Sequence, residues 1–245
     1  IRDRSVSCWG YNGNGRLGDG TTTDRNTPTQ TASLGSGRTA VEISTDNAHA
    51  CVILDDGSVS CWGYNGNGRL GDGTTTERHT PTQTASLGDN AAIATIFREH
   101  TGQSNQTACA VGTYQASTGQ SSCTDASAGY YVADNSYSEI DYDSQKISSG
   151  EDHTCAILDD GSVSCWGYNG IGQLGDGTTT QRITPTQTAS LGTDRTAVAI
   201  SSGHEYTCVI LDDGSVSCWG YNANGQLGDG TTTDRHTPSQ TSSLG

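Results

Sequence analysis

Residues 155–192 read CAILDDGSVSCWGYNGIGQLGDGTTTQRITPTQTASLG, and this stretch decides the fold because the chain repeats it. Residues 51–88 carry the same stretch with five differences. The differing residues are Val52, Asn67, Arg69, Glu77 and His79. The tetrapeptide Ser-Cys-Trp-Gly occurs four times, with its cysteine at positions 8, 61, 165 and 218, so that successive copies are 53, 104 and 53 residues apart. Repetition at a period of about 50 residues indicates an array of one small structural unit.

Each repeat contains a predicted β-hairpin. Asp55-Asp56-Gly57 forms its turn, since two aspartates suit a type I turn and glycine supplies the left-handed residue. This turn fixes which residues of the two strands lie opposite each other. The predicted pairs are Leu54 with Ser58, Ile53 with Val59, and Cys51 with Cys61. Further strands are predicted at 40–43, repeated at 197–200, and at 28–32, which makes four short strands per repeat.

Four short strands in a repeat of about 50 residues are typical of a propeller blade. The composition agrees, because 33 Gly, one Phe, no Met and 31% hydrophobic residues are poor material for helices. The run HTCAILDDGSVSCWG at 153–167, with GQLGDG at 172–177, resembles the regulator-of-chromosome-condensation repeat family. The resemblance implies a β-propeller with about seven blades. Because the motif occurs four times, we predict an all-β fold and an incomplete propeller of about four repeats.

The middle spacing of 104 residues holds one repeat of 53 and 51 further residues. We therefore predict propeller repeats at 1–88 and 148–245, separated by an insert at 89–147. The insert contains Cys109 and Cys123, and its sequence resembles the small cysteine-rich modules of ephrin-receptor-like ectodomains. A segment with so few core residues needs a covalent link, so a disulfide is expected there. Asn105 begins an Asn-Gln-Thr glycosylation sequon.

The nine cysteines are many for a protein of a reducing compartment. The hairpin register places three pairs directly opposite each other, at a separation that disulfides can bridge. These pairs are Cys51–Cys61, Cys155–Cys165 and Cys208–Cys218. The alternative is a pair of buried thiols in each blade. Cys8 is left unpaired, since the position of its partner precedes residue 1, and we therefore expect the chain to be part of a longer one.

The charge limits the partners. With 27 acidic and 12 basic residues the formal net charge is −15, which opposes binding to a phosphate backbone, so no nucleic-acid partner is expected. No run of 18 apolar residues occurs, so no membrane span is predicted in this segment.

Two loop motifs have a functional and a structural interpretation. Residues 13–18 match G-x-G-x-x-G, but Asp-Gly-Thr-Thr-Thr follows where a dinucleotide site needs a helix, so the motif is assigned to a blade loop. Residues 19–24, DGTTTD, offer oxygen ligands for calcium, and a turn stabilised by Asp and Thr side chains is the favoured alternative. No cofactor is expected, and no metal site either, because C-x-x-C pairs are absent.

Aromatic residues recur once or twice per repeat. The tryptophans are predicted to fill the space between blades. They are Trp9, Trp62, Trp166 and Trp219. The tyrosines of the following loop, with two arginines, are the candidate interaction residues, since Tyr and Arg are frequent interface hot spots. They are Tyr11, Arg16, Tyr64, Arg69, Tyr168 and Tyr221.

No Ser-His-Asp or Cys-His arrangement is evident, so the chain is predicted not to be an enzyme. We expect a non-catalytic scaffold, extracellular or on the cell surface, that binds a protein or a glycan through its propeller loops. One alternative is a secreted inhibitor of another enzyme. Another is guanine-nucleotide exchange, which the family resemblance implies but the acidic charge and paired cysteines oppose.

Overall fold

Antiparallel β-strands make up the described part of the chain. The computed structural model describes residues 5–87 and 145–242 and, between them, two short strands. In chain order the strands are β1 (Ser7–Gly10), β2 (Arg25–Gln30), β3 (Ala40–Thr45), β4 (His49–Leu54), β5 (Val59–Gly63), β6 (Arg78–Gln83), β7 (Thr113–Tyr114), β8 (Thr124–Asp125), β9 (Ile147–Ser149), β10 (His153–Ile157), β11 (Val163–Gly167), β12 (Arg182–Gln187), β13 (Ala197–Ser202), β14 (Tyr206–Leu211), β15 (Val216–Gly220) and β16 (Arg235–Gln240). The chain forms two compact units, Ile1–Thr95 with Gln145–Gly245, and Ile96–Ser144.

Three sheets have four strands each, and every strand pairs with its neighbours in sequence. We call them blade 2 (β3–β6), blade 3 (β9–β12) and blade 4 (β13–β16). The pair β1–β2 matches the third and fourth strands of these sheets in sequence and register, and is blade 1. The strands β7 and β8 pair with each other in the second unit. The predicted all-β propeller of about four repeats is confirmed.

The predicted hairpin register is confirmed residue by residue. Cys51 lies opposite Cys61 and Ile53 opposite Val59, and the Leu54 amide donates to the Ser58 carbonyl at 2.8 Å. The fourth strand begins earlier than predicted, since β2 starts three residues before Pro28. Proline is tolerated there because this strand is the edge of its sheet.

The three predicted hairpin disulfides are present. Each joins opposite residues whose Cα atoms are 4.1 Å apart. Cys8 is free and half-buried. The predicted Cys109–Cys123 bridge, the cysteine-rich module and the Asn105 sequon lie outside the described residues, and the insert boundaries stay a prediction.

The core lies between successive blades. Between blades 2 and 3, Cys51 and Ile53 of one sheet pack on Ile147 and Trp166 of the next. The same arrangement recurs between blades 3 and 4, and between blades 1 and 2. Each disulfide of blades 2 and 3 therefore lies under the tryptophan of the following blade. The insert separates blades 2 and 3 in sequence, yet their interface repeats the one between blades 3 and 4.

Three of the four tryptophans occupy the predicted position between blades. Trp62, Trp166 and Trp219 are fully buried, whereas Trp9 is 61% exposed. The prediction for Trp9 is wrong because each buried indole is covered by the loop of the preceding blade, and no such loop covers Trp9 among the described residues.

One hydrogen bond recurs at every blade interface. The Trp166 indole Nε1 donates to the Arg69 carbonyl oxygen at 2.9 Å. The equivalent bonds run from Trp62 to Arg16 and from Trp219 to Gln173, also at 2.9 Å. We call this contact the indole–carbonyl bond. It links the third strand of one blade to the loop of the blade before it.

A second donor reaches the same carbonyl at two interfaces. The Thr154 hydroxyl donates to the Arg69 carbonyl oxygen at 3.1 Å and pairs with Nε2 of His49 at 2.8 Å. Thr207 and His153 repeat this pair one blade later. The hydroxyl hydrogen goes to the carbonyl, so Nε2 of each histidine carries the hydrogen and the ring is neutral. Burial, together with the nearby Arg69 charge, lowers the pKa of both histidines to about 3.

These histidines predict acid-sensitive stability. Their unfolded pKa is near 6.5 and their folded pKa about 3, so the unfolded chain binds more protons between these values. The free energy of unfolding should be fully retained above pH 6.5 and fall by about 1.4 kcal/mol per pH unit for each histidine below it. Urea unfolding followed by circular dichroism between pH 7.5 and about pH 5.5 measures the slope in a range where most carboxylates stay ionised. The double variant His49→Gln, His153→Gln should lose that slope whatever its stability at pH 7.5. An unchanged slope would contradict the assignment.

Candidate interaction surface

The long loops join the third and fourth strands of each blade. They comprise residues 11–24, 64–77, 168–181 and 221–234. They lie at the same end of the blade as the loops between first and second strands, since the Tyr64 amide donates to the Ala48 carbonyl and the Tyr168 amide to the Asp152 carbonyl. We call this end the loop face. The opposite end carries the Asp-Asp-Gly turns and is called the hairpin face.

Each long loop is built around a buried asparagine. The four residues are Asn12, Asn65, Asn169 and Asn222, all fully buried. In blade 2 the Asn65 oxygen accepts from the Leu70 amide at 3.0 Å, and its Nδ2 donates to the carbonyls of Thr74 and Thr76, each at 3.0 Å. The same bonds recur in all four loops. Sequence reasoning missed this residue, although its recurrence after each tyrosine was a signal.

In each long loop an aspartate forms an ion pair with the arginine that begins the fourth strand. Asp72 accepts from the Thr74 amide at 3.0 Å and the Thr74 hydroxyl at 2.7 Å through one oxygen, and from Arg78 Nε at 2.7 Å through the other. In blade 1, burial alone would raise the pKa of Asp19, but hydrogen bonds from Thr21 and Arg25 outweigh it and lower the pKa to about 2. Both carboxylate oxygens accept hydrogen bonds from protein donors, which supports a turn stabilised by Asp and Thr side chains. No group of three or more His, Cys, Asp or Glu is placed to hold a metal in the described ranges.

The glycine-rich part of the loop makes tight turns. The Gly18 amide donates to the Gly15 carbonyl and the Gly15 amide to the Asn12 carbonyl, each at 2.9 Å. A strand, β2, follows this segment where a dinucleotide site requires a helix. Gly71 has φ of +68°, and a Cβ there would lie 2.8 Å from Nε1 of Trp166. The motif therefore serves the contact between blades.

Three of the four tyrosines pack against a glycine of their own loop. A Cβ at Gly66 would collide with the Tyr64 hydroxyl, and Gly13 and Gly170 are covered in the same way by their tyrosines. In the fourth loop Ala223 occupies the equivalent position, so Tyr221 cannot pack there identically. Tyr11 is 61% exposed, and Tyr64, Tyr168 and Tyr221 are half-buried. These four candidate residues all lie on the loop face.

Arg69, one of the two candidate interaction arginines, is buried against the next blade. Its side chain is 2% exposed and forms an ion pair with Asp152, donates to the Glu151 carbonyl at 2.6 Å and stacks 4.7 Å from the Tyr64 ring centre. Arg16 stacks on Tyr11 in the same way at 4.8 Å and donates to the Asn47 carbonyl. Both guanidinium groups bridge their own blade to the next. This role depends on pairing across repeats, which a single repeat does not show.

Acidic side chains also lie on the loop face. Glu151 and Glu205 are partly exposed on the loops between first and second strands, and both lie near the exposed His204. Glu77 lies at the end of the second long loop and accepts from Asn14 at 2.9 Å. The loop face therefore combines half-buried tyrosines with carboxylates.

The described part of the chain holds no helix that could span a membrane.

These features define a β-propeller assembled from tandem blades, each contributing one rigid loop to a common face. The chain belongs to the regulator of chromosome condensation (RCC1) repeat family. The family model matches residues 5–53, 56–97, 160–210 and 213–245, and a second model of the repeat matches 42–69, 145–173 and 197–226.

Sequence similarity to known proteins covers nearly the whole chain. It is 30% identical over 234 residues to the ultraviolet-B receptor UVR8 of Arabidopsis thaliana, covering 95% of this chain and 52% of UVR8. It is 30% identical to human HERC4 over 234 residues, covering 95% of this chain and 17% of HERC4. The chain thus spans about half of the one relative and a sixth of the other.

Similar solved structures include human WBSCR16, with 17% identity, a TM-score of 0.47, and coverage of 99% of this chain and 64% of that one. Yeast RCC1 (Prp20) bound to Kap60 has 16% identity, a TM-score of 0.47, and coverage of 99% and 61%.

The buried asparagine predicts a sharp contrast within one loop. Asn65→Ala should lower the free energy of unfolding by about 2–4 kcal/mol, because it leaves several buried partners without a hydrogen bond. Asn67→Ala is the matched control, and should change stability by less than about 0.5 kcal/mol since blade 3 carries Ile171 there. Urea unfolding of both variants measures the difference. Equal effects would show that the asparagine does not organise the loop.

Proposed function

We propose that this chain is a non-catalytic scaffold that binds another protein through its loop face. The observation that carries the proposal is that four long loops are held in one conformation by buried asparagines and Asp–Arg pairs. A surface that is rigid before binding loses little conformational entropy on association. Membership of a family of repeat propellers supports this reading of the surface.

The chemistry of the loop face favours a basic protein segment. The chain has a net charge of −15, and the partly exposed Glu151 and Glu205 lie on the loop face. Complementary charge speeds association and excludes acidic competitors. Protein is favoured over glycan because the tyrosine rings pack on glycine, which leaves fewer free aromatic faces for stacking on a sugar.

The absence of catalysis is part of the proposal. The two histidine–hydroxyl pairs, His49 with Thr154 and His153 with Thr207, have the geometry of a base beside a nucleophile. All four residues are at most 1% exposed, and each hydroxyl donates its hydrogen bond to a carbonyl. Neither pair can reach a substrate.

We also propose an extracellular or cell-surface location. It is supported by the three hairpin disulfides, since such bonds persist in oxidising compartments.

The binding face is tested by neutralising charge on one end of the propeller at a time. Glu151→Gln with Glu205→Gln changes the loop face, and Asp56→Asn with Asp213→Asn makes the same charge change on the hairpin face. Affinity capture at about 0.15 M salt, with quantitative mass spectrometry, should show partners lost several-fold only for the loop-face variant. Partners lost only with the hairpin-face variant would place binding at the other end. Failure to recover any specific protein would contradict the scaffold.

The location is tested by the redox state of the cysteines. Protein taken from its native source and alkylated without reductant should yield peptides in which Cys51 is linked to Cys61, with Cys8 alkylated. Free thiols at all three hairpins would contradict an oxidising compartment. Alkylation after reduction is the control that every cysteine is reachable.

A further inference from the structure

The long loops and the first residues of the strands that follow them are nearly identical in the four blades, but two positions change from polar to aliphatic. Blade 3 carries isoleucine at both positions, and the other blades carry asparagine or histidine. The residues are Asn14, Asn67, Ile171 and Asn224 at the first position, and Asn26, His79, Ile183 and His236 at the second. Since the rest of the loop is nearly constant, these positions give blade 3 a local chemistry of its own.

Ile183 is held in place between blades 2 and 3, at the loop-face end of the fourth strand. Its carbonyl accepts from the Gly73 amide at 2.9 Å, and a Cβ at Gly68 would lie 2.7 Å from Cγ2 of Ile183. The side chain therefore packs on the loop of the preceding blade, yet it stays 38% exposed. Blades 2 and 3 are both complete four-stranded sheets, so Ile183 lies within the array. An aliphatic side chain that the frame already holds loses little freedom when a partner covers it.

The other end of the same junction is acidic. Arg69 follows Gly68 in the loop of blade 2 and donates to the Glu151 carbonyl at 2.6 Å. The Glu151 side chain is partly exposed and contacts His204. Consecutive Cα atoms are about 3.8 Å apart, so Gly68 and Arg69 place Ile183 and Glu151 within reach of one short extended segment. We call the surface formed by Ile183, Gly68, Arg69 and Glu151 the 2–3 seam.

The other junctions between described blades have a different chemistry on the same frame. In place of the isoleucine and the glutamate, the junction of blades 1 and 2 has His79 and Asn47, and the junction of blades 3 and 4 has His236 and His204. His79 and His236 each cover a loop glycine of the preceding blade as Ile183 does, so the backbone geometry is shared. At these two positions, only the 2–3 seam of the described junctions combines an aliphatic side chain with a carboxylate.

We propose that a basic protein segment binds along the 2–3 seam, with an apolar side chain against Ile183 and a lysine or arginine beside Glu151. The seam is part of the loop face, so this inference rests on the function proposed above and names the residues that select the partner. The net charge of −15 supports a basic segment, because complementary charge favours association and excludes acidic competitors. Charge alone accepts any basic chain, so the apolar contact supplies the discrimination.

A library of random peptides provides the probe. Peptides of about nine residues, which extend over about 30 Å, are displayed on phage and selected on the immobilised wild-type chain. The selected peptides should share an apolar residue close to a lysine or arginine. The consensus peptide, synthesised with a fluorescent label, then gives dissociation constants by fluorescence anisotropy.

Substitutions copied from one blade to another give variants that the frame already accepts. Ile183→His gives blade 3 the residue of blades 2 and 4, and should weaken binding of the consensus peptide about tenfold because an apolar contact is lost. Ile171→Asn gives blade 3 the residue of the three other blades and is the matched control, since it removes an isoleucine of the same blade outside the 2–3 seam. It should leave the affinity unchanged, and urea unfolding checks that both variants are folded.

A double-mutant cycle locates each contact. Replacing the apolar residue of the peptide by serine should weaken binding to the wild type about tenfold, and to the Ile183→His variant by about twofold or less. Replacing the basic residue of the peptide by glutamine should be coupled to Glu151→Gln in the same way, and each change should reduce the salt dependence of binding. A general loss of stability would not give this pairwise coupling.

Several results would overturn the proposal. One is the absence of coupling between Ile183 and any apolar peptide position, and another is an equal loss of affinity with Ile171→Asn. If Glu151→Gln still weakens the peptides in either case, the loop-face function stands and the 2–3 seam is not the site. A selection that enriches no peptide of this kind would also overturn it. Peptides lost only with the hairpin-face pair Asp56→Asn and Asp213→Asn would contradict the loop-face function as well.

Discussion

The propeller depends on one hydrogen bond, from an indole N–H to a loop carbonyl of the preceding blade. A fully buried tryptophan needs a partner for its only polar group, and leaving that group unpaired costs on the order of 1–3 kcal/mol. The Arg69 carbonyl meets this need for Trp166, and at the same time accepts the Thr154 hydroxyl. Fixing that carbonyl therefore fixes the angle and distance at which the next blade packs, and with them the position of the whole apolar cluster.

The loop that presents this carbonyl has to be rigid, and its sequence makes it so. Asn65 ties the beginning of the loop to Leu70 and to the threonines beyond it, while Asp72 holds Arg78. Gly71 is required next to the carbonyl because the indole lies where a side chain would be. A loop rich in glycine, threonine and asparagine is commonly a flexible connection. Here the same composition gives an ordered structure, because each polar side chain has a backbone group to bind.

Local features of the fold could be predicted from one repeat, and features between repeats could not. The cysteine pairs followed from the Asp55-Asp56-Gly57 turn, since a hairpin register depends only on nearby residues. The burial of Trp62 followed from the need to fill space between blades. The exposure of Trp9 did not, because it depends on what precedes the blade. The burial of Arg69 could not be predicted for the same reason, since its partners, Glu151 and Asp152, lie beyond the insert. The role of Asn65 is hard to recognise from sequence because asparagine is common in loops for several other reasons.

The near-identity of the repeats follows from the same bond. Each long loop packs on the hairpin of the following blade, and each hairpin packs against the preceding loop. A substitution in one repeat can therefore alter two interfaces. The few differences fall where the two sides can adjust to each other. Ala50 takes the place of Thr154, which removes one donor to the carbonyl but leaves the indole in position. Gln173 takes the place of Arg69, and its backbone oxygen still accepts from Trp219 and Thr207. The side chain at this position can vary because the acceptor of the indole–carbonyl bond is a backbone oxygen. Loops of differing charge can therefore form the same contact between blades.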